Sequence, residues 1–433
     1  MERKAAFHNL GGKVNAYETE AMMQMLEADG YKIVPFAPGA DVYVINTCTV
    51  TNIADRKSRQ ILHRAKKMNP DAVVVAVGCY AQIRGEELEK DPAIDLVIGS
   101  ARKKELAEQI KTFLETGNKH TAASDLLHDR TYEALQVDHA SKGARAYIKA
   151  QDGCDMFCTY CIIPYARGRV RSRLPEDVCN EAKLLVQSGA KEIVLTGIHI
   201  CSYGKDLGAG IDLTDLIRMV HETEGLERLR LGSLEPSYIT EKTAESLASL
   251  TRLCPHFHLS LQSGCGTVLK RMGRRYTPEE FADKTAILRR VFDEPALTTD
   301  IIAGFPGETE EEFAETLAFA DRIRFFETHV FPYSRREGTR AASMDGQCTE
   351  QIKKDRVRRL LEKHDINQQA YLQQFLHKPL EVLFEETVCE NGVIFQAGHG
   401  TRYQKVLFRS ETDLSGRLQT VVPQNVQDGI LFA

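Results

Sequence analysis

The sequence lacks the features that mark a membrane or secreted protein. None of its apolar runs approaches the roughly 20 residues that a membrane-spanning helix needs, and the first residues carry no apolar stretch typical of a signal peptide. The eleven cysteines are odd in number and scattered along the chain, which does not fit the disulfide framework of a secreted protein. We therefore expect a cytoplasmic protein that makes no contact with a membrane.

Common catalytic strings are absent as well. The chain contains no G-x-S-x-G, no Walker A and no H-E-x-x-H string, which excludes the commonest hydrolase and nucleotide-binding classes. The net charge of −5 argues against a surface that coats nucleic acid, although local basic runs occur at 167–173, 270–275 and 353–363. A basic run taken alone is more often a solvated helix face than an RNA contact.

Three closely spaced cysteines form the most informative motif in the chain. Cys154, Cys158 and Cys161 lie in the run G-C-D-M-F-C-T-Y-C. Three thiolates can hold three irons of a 4Fe–4S cluster and leave the fourth iron open. A zinc site would need a fourth protein ligand at similar spacing, and none follows within the next fifteen residues. The spacing is typical of the radical S-adenosylmethionine (SAM) superfamily, in which the open iron binds SAM.

Alternating apolar and helical patterns predict an α/β fold in three parts. Residues 1–115 indicate a parallel sheet with helices, and 116–143 a polar linker. Residues 144–370 carry six βα units and a long charged helix over 351–374. Six units are too few for a closed eight-strand barrel, so we expect a partial barrel. Residues 371–433 predict a small β-barrel. The strands expected in the first part are 5–8, 42–46, 73–77 and 96–98.

Several polar residues and glycines follow the predicted barrel strands, at the end where βα enzymes build active sites. We predict that five of them bind SAM: Gly197, Glu235, Gln262, Asp300 and Gly304. His199 follows the second strand and either reaches SAM or caps the following turn. Cys254, His256 and His258 fit no zinc motif, and we expect a structural role for them.

The chain resembles the radical SAM methylthiotransferases over essentially its whole length. The strings that carry the resemblance are L-G-G-K-V-N-A-Y-E-T-E (10–20), V-I-N-T-C-T-V-T-N (44–52), G-C-Y-A-Q (78–82), the cysteine loop, R-M-G-R-R-Y-T (271–277), G-F-P-G-E-T (304–309) and, more loosely, H-G-T-R-Y-Q-K-V (399–406). The K-V-N-x-Y-E-T-E string is similar to the branch that modifies threonylcarbamoyladenosine in tRNA. The resemblance implies an N-terminal methylthiotransferase domain, a radical SAM core and a C-terminal TRAM domain.

The resemblance also implies a second, auxiliary 4Fe–4S cluster held by three N-terminal cysteines. Two of these correspond to Cys48 and Cys79, but the third position is Gly12. All three follow predicted strands, at the edge where open α/β sheets bind ligands. Two hypotheses follow: either a substitute ligand, with Cys201 as the candidate, completes the site, or the auxiliary cluster assembles poorly or not at all.

The reaction that the resemblance implies is the addition of a methylthio group to carbon 2 of threonylcarbamoyladenosine at position 37 of tRNA. SAM would supply both a methyl group and a 5′-deoxyadenosyl radical, with electrons from a donor such as flavodoxin or ferredoxin. The anticodon loop of tRNA is the implied partner, since single-stranded loops expose their bases. Arg402 and Lys405 are the candidate RNA contacts, in a C-terminal part with five basic and seven acidic residues from position 372 on.

Two other functions stay open at this point. The acidic balance of the C-terminal part favours a methylthiotransferase that acts on a ribosomal protein. Gly12 favours a tRNA-binding protein that still cleaves SAM but is impaired in sulfur insertion. The products distinguish them: a modified protein in the first case, and 5′-deoxyadenosine without a methylthio nucleoside in the second.

Overall fold

The computed structural model describes residues 2–123, 125–140, 143–208, 210–390 and 392–433. The strands are β1 Lys4–Asn9, β2 Lys32–Val34, β3 Val42–Thr47, β4 Val73–Gly78, β5 Leu96–Ile98, β6 His120–Ala122, β7 Arg145–Asp152, β8 Arg171–Ser172, β9 Glu192–Gly197, β10 Arg228–Leu231, β11 His256–His258, β12 Ala296–Ala303, β13 Glu327–Pro332, β14 Leu380–Glu390, β15 Val393–Gly400, β16 Lys405–Arg409, β17 Leu418–Val421, β18 Asn425–Gln427 and β19 Ile430–Phe432. The α-helices are α1 Lys13–Ala28, α2 Asn52–Met68, α3 Cys79–Ile83, α4 Gly85–Glu89, α5 Leu106–Thr116, α6 Ile163–Arg167, α7 Pro175–Gln187, α8 Leu213–His221, α9 Glu241–Ala248, α10 Gly266–Met272, α11 Pro278–Val291, α12 Glu310–Ile323 and α13 Glu350–Gln373.

The N-terminal part forms a parallel sheet in the order β2-β1-β3-β4-β5-β6. Its central strands β3 and β4 are buried along their whole length, because apolar residues fill both faces of β4 and of the first four residues of β3. The register pairs Asn9 with Asn46 and Thr47 with Gly78, so β1, β3 and β4 end at one edge of the sheet. This edge brings the loops that follow these strands together.

The stretch predicted as a linker over 116–143 is structured in part. Strand β6 lies within it and pairs with β5 at the edge of the first sheet. Leu135 and Val137 are buried in the main hydrophobic core. A three-residue strand and two spaced apolar residues are too short to show a period in the sequence, so the polar composition of this stretch predicts a linker.

Six parallel strands form the partial barrel that the sequence predicts. Strands β7, β9 and β10 pair in one sheet, with β8 antiparallel on the outside, and β11, β12 and β13 pair in another. Single parallel bridges, Leu229 to Leu253 and Leu234 to Leu259, join the two sheets. The barrel is open between β7 and β13.

The first sheet covers the open side of this barrel. On one side, the Tyr17 hydroxyl of α1 donates to the backbone oxygen of Leu135 over 2.6 Å and to Glu181 over 3.2 Å. On the other side, Arg336, which follows β13, forms an ion pair with Asp55 of α2 at 2.8 Å. The edge that carries Gly12 therefore faces into the barrel.

The C-terminal strands form one mostly antiparallel sheet in the order β17-β14-β15-β16-β19-β18. Tyr403 stacks on His256, with ring centroids 5.2 Å apart, at the amino-terminal end of the barrel strands. Arg230 lies over the same Tyr403 ring at 4.9 Å. The C-terminal sheet thus packs against the barrel at the end opposite the cysteine loop. No helix in the described part of the chain is both long and apolar enough to cross a membrane.

Candidate active site

A cavity of about 490 Å³ lies at the carboxyl ends of the barrel strands, where the barrel meets the first sheet. Its wall contains most of the site residues that the sequence predicts. They are Gly12, Cys48, Cys79, Cys154, Cys158, Cys161, Gly197, Glu235, Gln262 and Asp300. Residues as far apart in the sequence as Gly12 and Asp300 thus line one space.

The cysteine loop that follows β7 is fixed by its backbone. Gly153 has a φ of +71°, and a Cβ atom there would lie 1.9 Å from the backbone oxygen of Arg169, so only glycine fits. The Cys154 amide donates to the Gly168 oxygen over 3.0 Å. Burial raises the pKa of the Cys154 thiol to about 11 and that of Cys161 to about 12. Three thiols that line one cavity fit the ligand set of a 4Fe–4S cluster, which they would hold as thiolates.

Arg274 connects this loop to the predicted SAM residue Glu235. Its guanidinium donates to the Cys158 Sγ atom over 3.3 Å and to the Glu235 carboxylate over 2.7 Å. Burial alone would raise the pKa of Glu235, but His199 and Arg274 hold it below its ordinary value. Glu235 is therefore an anion beside the cysteine loop. In the sequence, only the R-M-G-R-R-Y-T string and the basic run at 270–275 mark Arg274, and neither predicts a role in the site.

Of the remaining predicted SAM residues, Gly197, Gln262 and Asp300 line the cavity and Gly304 does not. The backbone of Gln262 adopts a left-handed conformation, with a φ of 72°. Its backbone N–H donates a hydrogen bond to the backbone oxygen of Asp300. The Asp300 carboxylate faces His258 at 3.3 Å, and His258 also lines the cavity. Gly304 does not line the cavity. Its backbone N–H donates a hydrogen bond to the Glu308 carboxylate over 2.8 Å, beside α13.

Beside Cys48 and Cys79, the position of Gly12 has free space where a third cysteine side chain would lie. An added Cβ at Gly12 would find no atom within 4 Å, and the φ of −83° is compatible with any side chain. Cys48 and Cys79 line the same cavity, so two thiols and space for a third fit the ligand set of a cluster. Cys201 accepts a hydrogen bond from the Glu235 amide and is not among the lining residues, so its position gives no support to a role as substitute ligand.

Arg167 lies directly behind Cys79 and is fully buried. It donates to the Cys79 Sγ atom over 3.1 Å and to the Asn15 side chain over 2.8 Å, and forms an ion pair with Glu18. Lys149 binds the same Glu18 carboxylate at 2.9 Å. Burial would raise the pKa of Glu18, but Arg167, Lys103 and Lys149 lower it to about 2. The K-V-N-x-Y-E-T-E string thus supplies buried contacts between α1 and the barrel.

The basic run at 167–173 does not form the solvated face that is usual for such runs. Arg167, Arg171 and Arg173 are buried, and Arg173 forms an ion pair with Glu181. Arg402, a predicted RNA contact, donates to the backbone oxygens of Asp293 and Glu294 in the barrel, over 2.7 and 2.8 Å, whereas Lys405 is exposed.

Two family models match the chain. Residues 4–99 match the one described as Uncharacterized protein family UPF0004, and residues 148–320 match the Radical SAM superfamily. A solved structure of a radical S-adenosylmethionine methyltransferase, TsrM from Kitasatospora setae, has a TM-score of 0.57 at 17% identity, covering 79% of this chain and 74% of that one. At this identity the likeness concerns the fold alone.

Curated relatives match over almost the whole length. The threonylcarbamoyladenosine tRNA methylthiotransferase MtaB of Bacillus subtilis is 44% identical over 96% of this chain and 92% of its own length. MtaB of Aquifex aeolicus is 40% identical over 88% and 93%. The tRNA-2-methylthio-N(6)-dimethylallyladenosine synthase of Acetivibrio thermocellus is 34% identical over 96% and 87%.

Proposed function

The chain belongs to the radical SAM methylthiotransferase family, and from this premise we propose that it adds a methylthio group to carbon 2 of threonylcarbamoyladenosine at position 37 of tRNA. The observation that supports the proposal is the shared cavity: the cysteine loop and the Gly12, Cys48 and Cys79 edge face the same space. A base that enters this space is within reach of both. We place the enzyme in the cytoplasm, with a flavodoxin or ferredoxin as electron donor.

In this proposal Cys154, Cys158 and Cys161 hold the first 4Fe–4S cluster, which supplies the electron that cleaves SAM. Glu235 offers a carboxylate to the ribose hydroxyls or the ammonium group of SAM, and Arg274 fixes that carboxylate. The other proposed SAM contacts are Gly197, Gln262 and Asp300, which line the cavity, and Gly304, which would have to act from outside its lining.

Cys48 and Cys79 are the proposed ligands of a second cluster. Gly12 supplies no thiolate at the third ligand position, which weakens the binding of this cluster. Arg167 donates a hydrogen bond to the Cys79 sulfur, a contact that a thiolate ligand would accept. With one thiolate fewer than the three that the family implies, we expect this site to load weakly in the unaltered chain.

The proposed RNA partner is the anticodon stem–loop, with Lys405 available on the surface of the proposed C-terminal TRAM domain. Arg402 already donates hydrogen bonds to the backbone oxygens of Asp293 and Glu294. It would have to break these bonds in order to contact RNA. Contacts of this kind go to phosphates, and the affinity should fall as salt is raised.

The test is nucleoside analysis of tRNA incubated anaerobically with the reconstituted enzyme, SAM and a reductant. Formation of 2-methylthio-threonylcarbamoyladenosine supports the proposal. The matched comparison is the Gly12→Cys variant, which restores the expected ligand set. If neither protein modifies tRNA while both cleave SAM, the proposed substrate is wrong.

The open position at Gly12 favours a second candidate function, a tRNA-binding protein that cleaves SAM without inserting sulfur. In that case the unaltered chain yields 5′-deoxyadenosine but no methylthio nucleoside, and Gly12→Cys restores the nucleoside product. A methylthio group on a ribosomal protein, found by mass spectrometry, would instead establish the protein-directed alternative.

A further inference from the structure

Lys13, the first residue of α1, lines the cavity without an ionic partner of its own. It is partly buried, and no described residue forms a hydrogen bond or an ion pair with its side chain. Lysines withdrawn from water are normally paired with a carboxylate. An unpaired lysine in the wall of a substrate cavity therefore offers a binding position for an anion.

The charges around Lys13 leave its positive charge only partly compensated. Burial, followed by Arg230 and Arg145, lowers the pKa of its ammonium group, while Asp300 and Glu327 act in the opposite direction and less strongly. Asp300 is also engaged by His258 at 3.3 Å. An anionic group of a ligand would therefore be attracted to the ammonium group of Lys13.

Hydrogen-bonding groups surround the same end of the cavity. His258 and His329 stack with ring centroids 5.7 Å apart, and both line the cavity beside Asp300. An imidazole or carboxylate there can meet a hydroxyl or an amide of a ligand. This end of the cavity thus combines Lys13 with neutral and anionic polar groups, which suits a ligand that carries a carboxylate together with other polar atoms.

We propose that Lys13 binds the threonyl carboxylate of threonylcarbamoyladenosine and selects this nucleoside over adenosines whose N6 group carries no charge. The proposal rests on the proposed function, because it assumes that this nucleoside enters the cavity. The carboxylate is the only anionic group that the threonylcarbamoyl substituent adds to the base. A charge-assisted hydrogen bond to it would provide discrimination of roughly 10- to 100-fold.

The test measures binding by fluorescence anisotropy under anaerobic conditions, with two anticodon stem–loop RNAs that differ only in threonylcarbamoyladenosine or adenosine at position 37. We expect the wild-type protein to prefer the modified RNA and Lys13→Met to lose most of that preference. Lys13→Arg should retain part of it, because it keeps the charge. Lys242→Met, on the exposed face of α9, removes a lysine elsewhere and should keep the wild-type ratio.

A ligand-side measurement makes the test independent of the folding of any variant. Free threonylcarbamoyladenosine should displace the labelled RNA from the wild-type protein at least tenfold better than its methyl ester, which lacks the charge. Equal displacement, or a full preference retained by Lys13→Met, overturns the subsite alone. A wild-type protein that does not distinguish the two RNAs overturns the proposed substrate, and the subsite with it.

Discussion

The guanidinium of Arg167 donates a hydrogen bond to the Sγ atom of Cys79 over 3.1 Å. Arg167 ends the short helix that follows the cysteine loop, and Cys79 begins the helix that follows β4 in the first sheet. One side chain therefore joins the helix that follows the cysteine loop to a cysteine of the second set. Because it also binds Glu18, it holds the first sheet against the barrel.

Arg167→Met should destabilise the protein strongly. It would leave the Glu18 carboxylate with fewer buried partners, and removing one partner of a buried ion pair costs about 3–5 kcal/mol. The free energy of unfolding, measured by urea titration, should fall by that order. Arg169→Met, on the partly exposed neighbour, should change it by less than about 1 kcal/mol. A loss of equal size in both variants would contradict the assignment.

Gly12→Cys should raise the iron content. The unaltered chain is expected to hold fewer than eight irons after anaerobic reconstitution, because its second site loads weakly, whereas the variant should hold about eight, since it supplies a third thiolate for a second 4Fe–4S cluster. Iron and sulfide analysis with Mössbauer spectra measures this. Gly12→Ser fills the same space without a thiol and should hold no more iron than the unaltered chain. About eight irons in the unaltered chain would show that Gly12 is tolerated.

Cys158→Ser should abolish SAM cleavage, because it removes one of the three thiolates proposed for the first cluster. Formation of 5′-deoxyadenosine, followed by chromatography, should fall below detection, and about four irons should be lost. The exposed Cys389 provides the control: Cys389→Ser should leave both values unchanged. Wild-type levels of 5′-deoxyadenosine from Cys158→Ser would exclude the assigned role.

Arg274→Met should weaken SAM binding roughly tenfold or more, because the variant frees the Glu235 carboxylate and removes a donor from Cys158. Equilibrium binding of SAM to the reconstituted protein measures the effect. Arg275→Met is the matched control, since the neighbouring Arg275 is exposed. If both variants bind SAM equally well, Arg274 does not position Glu235 for the cofactor.

The stability of the protein should fall in acid through Glu18. Its pKa is lowered from 4.5 to about 2 in the folded protein, so its contribution is complete above about pH 4.5 and is lost as the pH falls toward 2. Thermal unfolding between pH 6 and pH 3 should show a falling midpoint. Glu18→Gln should start lower and depend less on pH, whereas Glu27→Gln, exposed on the same helix, should follow the wild-type curve.

The parts of the site that depend on local spacing were predictable from the sequence. Cys154, Cys158 and Cys161 lie within eight residues, and the long apolar strands placed Cys48 and Cys79 at one sheet edge. The family relationship and the α/β fold are confirmed. Short strands such as β6 were missed, because three residues are too few to show a period.

The buried arginines were not predictable in the same way. Arg167 and its partner Glu18 are separated by 149 positions, so nothing near Arg167 in the sequence signals a carboxylate. Arginine is mostly exposed in proteins, and a run of four arginines therefore indicates a surface. Arg274 was missed for the same reason, although it lies in a string that carries the family resemblance. Tertiary pairing, which a local pattern does not contain, decides the position of both.

The closure of the barrel's open side by the first sheet restricts how the polypeptide can be divided. A fragment that began at β7 would leave Lys149 and Arg167 without the Glu18 carboxylate that α1 supplies. Chimeras that join the N-terminal part of one relative to the barrel of another must therefore match these charges across the junction. The N-terminal part and the barrel are expected to be inherited as a unit, because buried charges of each part are neutralised by charges of the other.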